Sequence, residues 1–271
     1  MLVKIKEFVQ RDNDVYFFQT VSDKIIINNN YVGLLILDSD LNLIKRLAIF
    51  DGITIYSSFF NNSNEEILLF CPDNECIVYV NIRSYEYSVI HLTNGLENLV
   101  FSTLYEWNDN GLILTTYNNE FYSICVSKKS IKKIRDEEIA IKYTELYKFL
   151  QEARKHKTFK MLSDGSIAIV DYDNHNINII NYKNQSKHVF NNISIDFLDI
   201  DYRKGILAMV NENAVKIMYN NGNTVMYPEE DYIFLKGKIL DKLGNPFLIT
   251  LSSSKSDVDK SRIEMFQICD L

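Results

Sequence analysis

Four cysteines and four histidines are the residues of this 271-residue chain best suited to holding a metal or attacking a substrate. Cys71 and Cys76 bracket the turn PDNE and would stand close on neighbouring strands, yet no second Cys or His pair completes the four-ligand set that zinc takes. His91, His156, His175 and His188 fall in separate segments, and no Ser or Cys nucleophile motif accompanies any of them. There is no Gly-x-Ser-x-Gly, and with nine glycines the chain has little material for a phosphate cradle. Asp38, Asp40 and Asn42 in DSDLN, and Asp171, Asp173 and His175 in DYDNH, space polar ligands as the start of a calcium loop does. Both segments lack the Gly at the sixth position and the Glu at the twelfth, so they read as turns whose Asp and Asn side chains bond their own backbone. The sequence therefore predicts no catalytic residue, no cofactor and no metal.

Composition narrows the classes further. The chain is 46% hydrophobic and 24% charged with three prolines, enough apolar material for a buried core, and its 17 Tyr and 16 Phe favour strands. A net charge of −7 with both signs intermixed argues against a nucleic-acid binder, which needs a basic face. The start, MLVKIKEFVQRDND, has two lysines in its first six residues and no long apolar run, so neither a signal peptide nor an anchor is expected. No segment approaches the ~18 apolar residues that span a bilayer. The expected location is the cytoplasm, with the cysteines reduced.

The elements that position these residues follow one grammar. Gly205 to Pro228 reads as an apolar run, a polar turn, an alternating run, another turn and a short final run, and the pattern recurs along most of the sequence. Short strands separated by Asn, Gly and Asp are hairpin signals, and four strands in about forty residues make the length of a propeller blade. Six such units follow from Val15 onward; the last has YIFLKGKIL, PFLITLS and RIEMFQI and is one strand short. Leu2 to Phe8, with the lysine pattern of LNLIKRL and SIKKI, is predicted to complete it, pairing with Ile263 to Ile268 and packing Leu2, Ile5 and Phe8 between blades. Lysines on the fourth strands, Lys4, Lys6, Lys45, Arg46, Lys132, Lys133 and Lys187, read as guards of a free edge. The rhythm breaks once, at Asp136 to Lys157, where Ile139, Tyr143, Leu146, Leu150 and Ala153 recur at helical spacing behind an Asp136 cap.

Through these repeated four-strand units the chain resembles the β-propeller superfamily. It has a WD40-like architecture without the WD signature, since its one tryptophan, Trp107, precedes Asn108. The expectation is a single all-β domain over 1–271, a six-bladed propeller closed by its N-terminal strand, with one α-helix between blades three and four. Turns from second to third strands and the links between units share one end, which is acidic and Asn-rich. That end suits a protein or peptide partner and favours a basic one, with no nucleic acid or membrane expected. Long insertions in compact domains are commonly functional. Ile141, Tyr147, Lys148 and Phe149, off the apolar stripe, and His175, in its turn, are the candidate partner-binding residues. An interaction scaffold or regulatory binding module is the leading reading. The alternatives are a hydrolase or lyase with a site in a central pocket, and an immunity or inhibitor protein neutralising a basic toxin.

Overall fold

A computed structural model of the chain describes residues 1–11, 13–92, 99–108, 111–153, 159–181, 183–257 and 259–269. They form six four-stranded antiparallel sheets. The first strand, β1 (Leu2–Gln10), stands apart from its sequence neighbours. Blade one is β2 (Phe18–Val21), β3 (Lys24–Asn29), β4 (Gly33–Leu37) and β5 (Leu43–Ala48), and blade two is β6 (Ser57–Asn61), β7 (Glu66–Cys71), β8 (Cys76–Asn81) and β9 (Tyr87–His91). Blade three is β10 (Phe101–Asn108), β11 (Gly111–Thr116), β12 (Phe121–Cys125) and β13 (Ser130–Ile134), followed by α1 (Asp136–Lys142) and α2 (Thr144–Ala153). Blade four is β14 (Phe159–Met161), β15 (Ile167–Asp171), β16 (Asn176–Asn181) and β17 (Ser186–Phe190), and blade five is β18 (Asp199–Arg203), β19 (Ile206–Asn211), β20 (Ala214–Tyr219) and β21 (Thr224–Pro228). Blade six takes β22 (Tyr232–Lys242), β23 (Asn245–Ser254) and β24 (Ser261–Ile268), with β1 as its fourth strand.

The burial of each strand follows its place in the sheet. Second and third strands such as β4, β7 and β19 are buried almost throughout, and their sequences are continuous apolar runs because both faces are covered. Fourth strands such as β21 alternate exposed and half-buried residues. The turns behave as their Asp and Asn content predicts: Asp38 Oδ1 accepts the N–H groups of Asp40 and Asn42 at 2.8 Å, and Asp171 Oδ1 accepts that of Asn174 at 3.1 Å. Cys71 and Cys76 face each other in register as buried free thiols.

Two compact units divide the chain. The first comprises Met1–Asn30, Leu34–Arg46 and Thr158–Leu271, and holds blades four, five, six and most of one. Its core is a set of apolar layers between successive blades: Leu162, Ile177, Leu207 and Met209 join four to five, Val210, Phe234, Leu248 and Phe266 join five to six, and Ile25, Leu35, Ile249 and Ile263 join six to one. Asp201, buried in β18, fastens these layers from within. Its Oδ1 accepts the Ser163 N–H at 2.8 Å and its Oδ2 the Ile239 N–H at 2.7 Å, so one carboxylate ties three blades. Gly237 allows the close approach, since a Cβ there would lie 2.6 Å from Val210 Cγ2. The second unit, Tyr31–Gly33 and Leu47–Lys157, holds blades two and three and the helices. Its two blades meet through Phe59, Phe70, Phe101 and Tyr105 in edge-to-face contacts, and Tyr105 Oη donates to Phe60 O at 3.1 Å.

Closure of blade six follows the predicted register, from Leu2 opposite Ile268 to Phe8 opposite Ile263. The ladder reaches the first residue, where the Met1 ammonium donates to Cys269 O at 2.9 Å and the Cys269 N–H to Met1 O at 3.0 Å. Leu2 joins the layer against blade five, and Phe8 packs on the layer against blade one. Ile5 does not pack inward as expected; it is 49% exposed, because strand side chains alternate and a register shift falls between Lys4 and Lys6. Lys4 is no edge guard either. It turns inward to Glu264 Oε1 at 2.8 Å, while Arg262 Nη2 holds Glu264 Oε2 at 2.9 Å and Glu229 Oε2 at 2.6 Å, its guanidinium 3.7 Å from the Tyr232 ring centroid. Burial pushes the Glu264 carboxyl above its ordinary range despite these two cations.

Deleting residues 1–10 should leave β24 with an open apolar edge and the buried Glu264 carboxylate with Arg262 alone, and the truncated chain should aggregate or melt well below the full chain in a thermal scan. Lys4→Met isolates the charge effect. Losing one partner of a buried ionised group costs on the order of 1–3 kcal/mol. Because the folded pKa of Glu264 lies above its unfolded one, the fold binds that proton more tightly, and the Lys4→Met penalty should be full near neutrality and shrink as pH falls through the raised pKa. Melting temperatures of both proteins across that range check the sign; a difference that grows in acid would overturn it.

Candidate functional site

The predicted insertion forms two helices in place of one. α1 begins after Arg135, an extended residue that gives no side-chain cap, so Asp136 sits in the first turn with Glu137 and Glu138, where their charges meet the positive helix end. At Tyr143 the backbone leaves the helical region with φ −131° and ψ 50°. Thr144 Oγ1 then donates to Ala140 O at 2.9 Å and Ile141 O at 3.3 Å, satisfying carbonyls that a continuing helix would have used, and α2 starts in a new phase.

Each helix's own buried face decides which candidate residues are exposed. Ile139, Leu146 and Leu150 are buried as predicted and Tyr143 is half-buried, while the side chain of Ala153 lies outside the described residues. Phe149, expected to face outward, is buried at 8% exposure, because Leu146, Phe149 and Leu150 form the i, i+3, i+4 face of α2 itself. Tyr147 is half-buried, its ring centroid 6.3 Å from that of Phe121. Lys148 is exposed and pairs with Glu145 at 3.1 Å. Ile141 is 79% exposed on α1. His175 belongs to the other unit, in the exposed turn between β15 and β16, with φ 51° and its carbonyl accepting the Ile193 N–H at 3.0 Å.

Between α1 and the sheet of blade three lies a groove of about 690 Å³. Ile113, Ser123 and Lys132 are register neighbours on β11, β12 and β13 and form one row across its floor, while Glu138, Lys142 and Tyr143 come from the helical side. The neighbouring charges are paired: Lys133 with Glu120, which holds that carboxyl below its ordinary range, and Arg135 with Glu138 at 3.4 Å. Among the described residues Lys132 and Lys142 have no carboxylate partner. Sequence reading missed both, taking Lys132 as an edge guard and giving Lys142 no role. The alternation of Ser130–Ile134 does place Lys132 on one face of its strand, and that is the signal that could have found it.

A second cavity of about 340 Å³ in the same unit is lined by Glu66, Tyr79, Trp107, Cys125 and Ser127 among others. Tyr79 Oη donates to Glu66 Oε1 at 2.8 Å, and burial together with that carboxylate pushes the phenol up to about 12. The Cys125 thiol is held below its usual range by the Ser127 hydroxyl, but no histidine lines the cavity to serve it as a base. Among the described residues no group of three or more His, Cys, Asp or Glu could hold a metal ion, and no helix is long and apolar enough to cross a membrane. His91 is exposed at the end of β9, His188 lies against Tyr202 with ring centroids 5.7 Å apart, and His156 is outside the described residues.

The two helix faces predict different costs. Phe149→Ala should destabilise the protein by about 3–5 kcal/mol, the range for emptying a buried aromatic site, whereas Ile141→Ala should stay within about 0.5 kcal/mol. Denaturant midpoints of the two variants measure the difference.

No family model and no curated protein matches the chain. Solved structures do. The Cps50 (Swd1) β-propeller domain of Myceliophteria thermophila aligns over 99% of this chain and 100% of its own with a TM-score of 0.58 at 10% identity. A member of the DUF4221 family from Bacteroides vulgatus aligns over 100% of this chain and 99% of its own with a TM-score of 0.55 at 9% identity. At such identities the likeness is one of fold alone, and with the six sheets it fixes the class: this chain is a six-bladed β-propeller.

Proposed function

We propose that this propeller is a protein-interaction module that takes an extended segment of its partner in the groove between α1 and blade three. The observation that carries this reading is a groove that joins apolar side chains, Leu112, Ile113 and Ile134, to two lysines, Lys132 and Lys142, that have no carboxylate partner among the described residues. Such a groove offers an apolar anchor and a charge preference together. It favours a segment bearing carboxylates, whereas the acidic loop end, with Asp51, Asp73, Glu75 and Glu120 in this unit, would favour basic residues on the partner's other parts. The cytoplasm is the proposed compartment, where the four free cysteines persist as thiols. Nucleic acid has no place in this reading, given the net charge of −7.

The test is affinity capture from the organism that makes the protein, with the full chain as bait beside two variants, Ile141→Asp with Lys142→Glu, and His175→Ala. The groove variant should recover the partner at least about tenfold less well, a loss of roughly 1.4 kcal/mol in binding, at an unchanged melting temperature. Equal recovery by the wild type and the groove variant would overturn the groove as the site, and loss only with His175→Ala would move recognition to the β15–β16 turn.

A further inference from the structure

The first unit buries a second set of charges that the groove does not use. The first strands of blades four, five and six carry Lys160, Asp199 and Asp201, and Lys236 and Lys238 respectively. In an apolar strand each of these pairs, DID and KGK, puts charge at alternate positions and hence on one face. Asp201 accepts the backbone N–H groups of Ser163 and Ile239, and its charge favours the Lys160 ammonium without touching it. Asp199 is the carboxylate that meets the lysines: Lys160 Nζ contacts its Oδ1, and Lys238 Nζ lies 3.9 Å from its Oδ2, which already accepts the Gly237 N–H at 3.0 Å. Lys236 Nζ has only a carbonyl, Tyr16 O at 3.1 Å.

Three ammonium groups thus stand beside two carboxylates, Asp199 and Asp201, in a place that is half-buried at Lys160 and Lys236 and buried at Lys238. Enclosed cations are stable only when paired, and lysine is a common point-charge ligand for phosphate and carboxylate oxygens. The Lys238 side chain is 7% exposed and that of Asp199 8%, but Lys160 keeps 30% of its surface open, so the cluster has a mouth at Lys160. We propose that Lys160, Lys236 and Lys238 form a binding site for a small oxyanion, a phosphoryl or carboxylate group that enters past Lys160 and supplies the missing counter-charge. Burial first, and the neighbouring Lys238 ammonium second, lower the pKa of both Lys160 and Lys236, and a bound anion would reverse the second effect. The site is independent of the groove in the second unit, and either can fail alone.

Titration calorimetry of the full chain at low ionic strength, with inorganic phosphate in one arm and acetate in the other, distinguishes the two anion classes. One equivalent of one of these ions should bind. Lys160→Met should weaken it by at least about tenfold, and Lys187→Met, which removes an exposed fourth-strand lysine of the same unit, should not. Asp199→Asn keeps an acceptor for the Gly237 N–H while removing the competing carboxylate, and should tighten binding. In the unmodified protein, trace acetylation read by peptide mass spectrometry provides a measurement that needs no variant: the bound ion should slow labelling of Lys160 several-fold relative to Lys187. Failure of both ions to bind, binding indifferent to Lys160→Met, or Lys160 labelling unchanged by either ion would overturn the proposal.

Discussion

Everything in this fold depends on what happens to the free edge of β24. Blade six draws three of its strands from the C-terminal end of the chain, and a three-stranded sheet would end in a row of unpaired N–H and C=O groups on an apolar strand. β1 supplies the missing partner from the other terminus, at a register that runs from residue 2 to residue 10. A long-range pairing of this kind closes nearly the whole chain as one loop, and its entropic cost is only slowly dependent on loop length. What holds it is the ladder itself, with Leu2 and Phe8 entering two different inter-blade layers and Lys4 reaching the buried carboxylate of Glu264. The lysine makes the strand specific as well as sticky: another strand would leave Glu264 with Arg262 alone.

Most of the fold was readable because its signal is local. Each strand is an apolar or alternating run bounded by turn residues, and the Asp38 and Asp171 turns do what short polar side chains do in such places. The errors come where local pattern and three-dimensional phase part company. Leu2, Ile5 and Phe8 are spaced by three, which is no period of a strand, so only Leu2 and Phe8 could share an inward face. The apolar stripe from Ile139 to Ala153 was read through Tyr143 as one helix. The Thr144 hydroxyl takes up carbonyls at the end of α1, and Phe149 turns inward because it shares the α2 face of Leu146 and Leu150.

The charges on the first strands were less readable for a different reason. In a half-exposed strand a charge at every second position marks the solvent face, and that is how a hydropathy pattern treats DID and KGK. β18 and the middle of β22 are covered on both sides, so the same alternation puts Asp201 at 0% exposure and Lys238 at 5%. Asp201 can be understood without any ligand, since two backbone N–H groups from neighbouring blades satisfy it. The lysines are met differently, Lys160 and Lys238 by the Asp199 carboxylate of the adjoining first strand and Lys236 by the Tyr16 carbonyl.

The groove beside α1 follows from the same mechanics that misled the helix reading. One unbroken helix of this length would have carried a single apolar face and lain flat along whatever it packed against. Breaking it at Tyr143 lets α2 bury Leu146, Phe149 and Leu150 while α1 is held chiefly by Ile139, so α1 need not press its whole length onto the sheet. The space left under it is floored by a row of side chains from three strands and bordered by Lys142 at the end of α1. A helix end carries partial negative charge from its carbonyls, which Lys142 complements. Lys132, on the strand, has no such internal role; it is exposed on the groove floor without a carboxylate partner among the described residues.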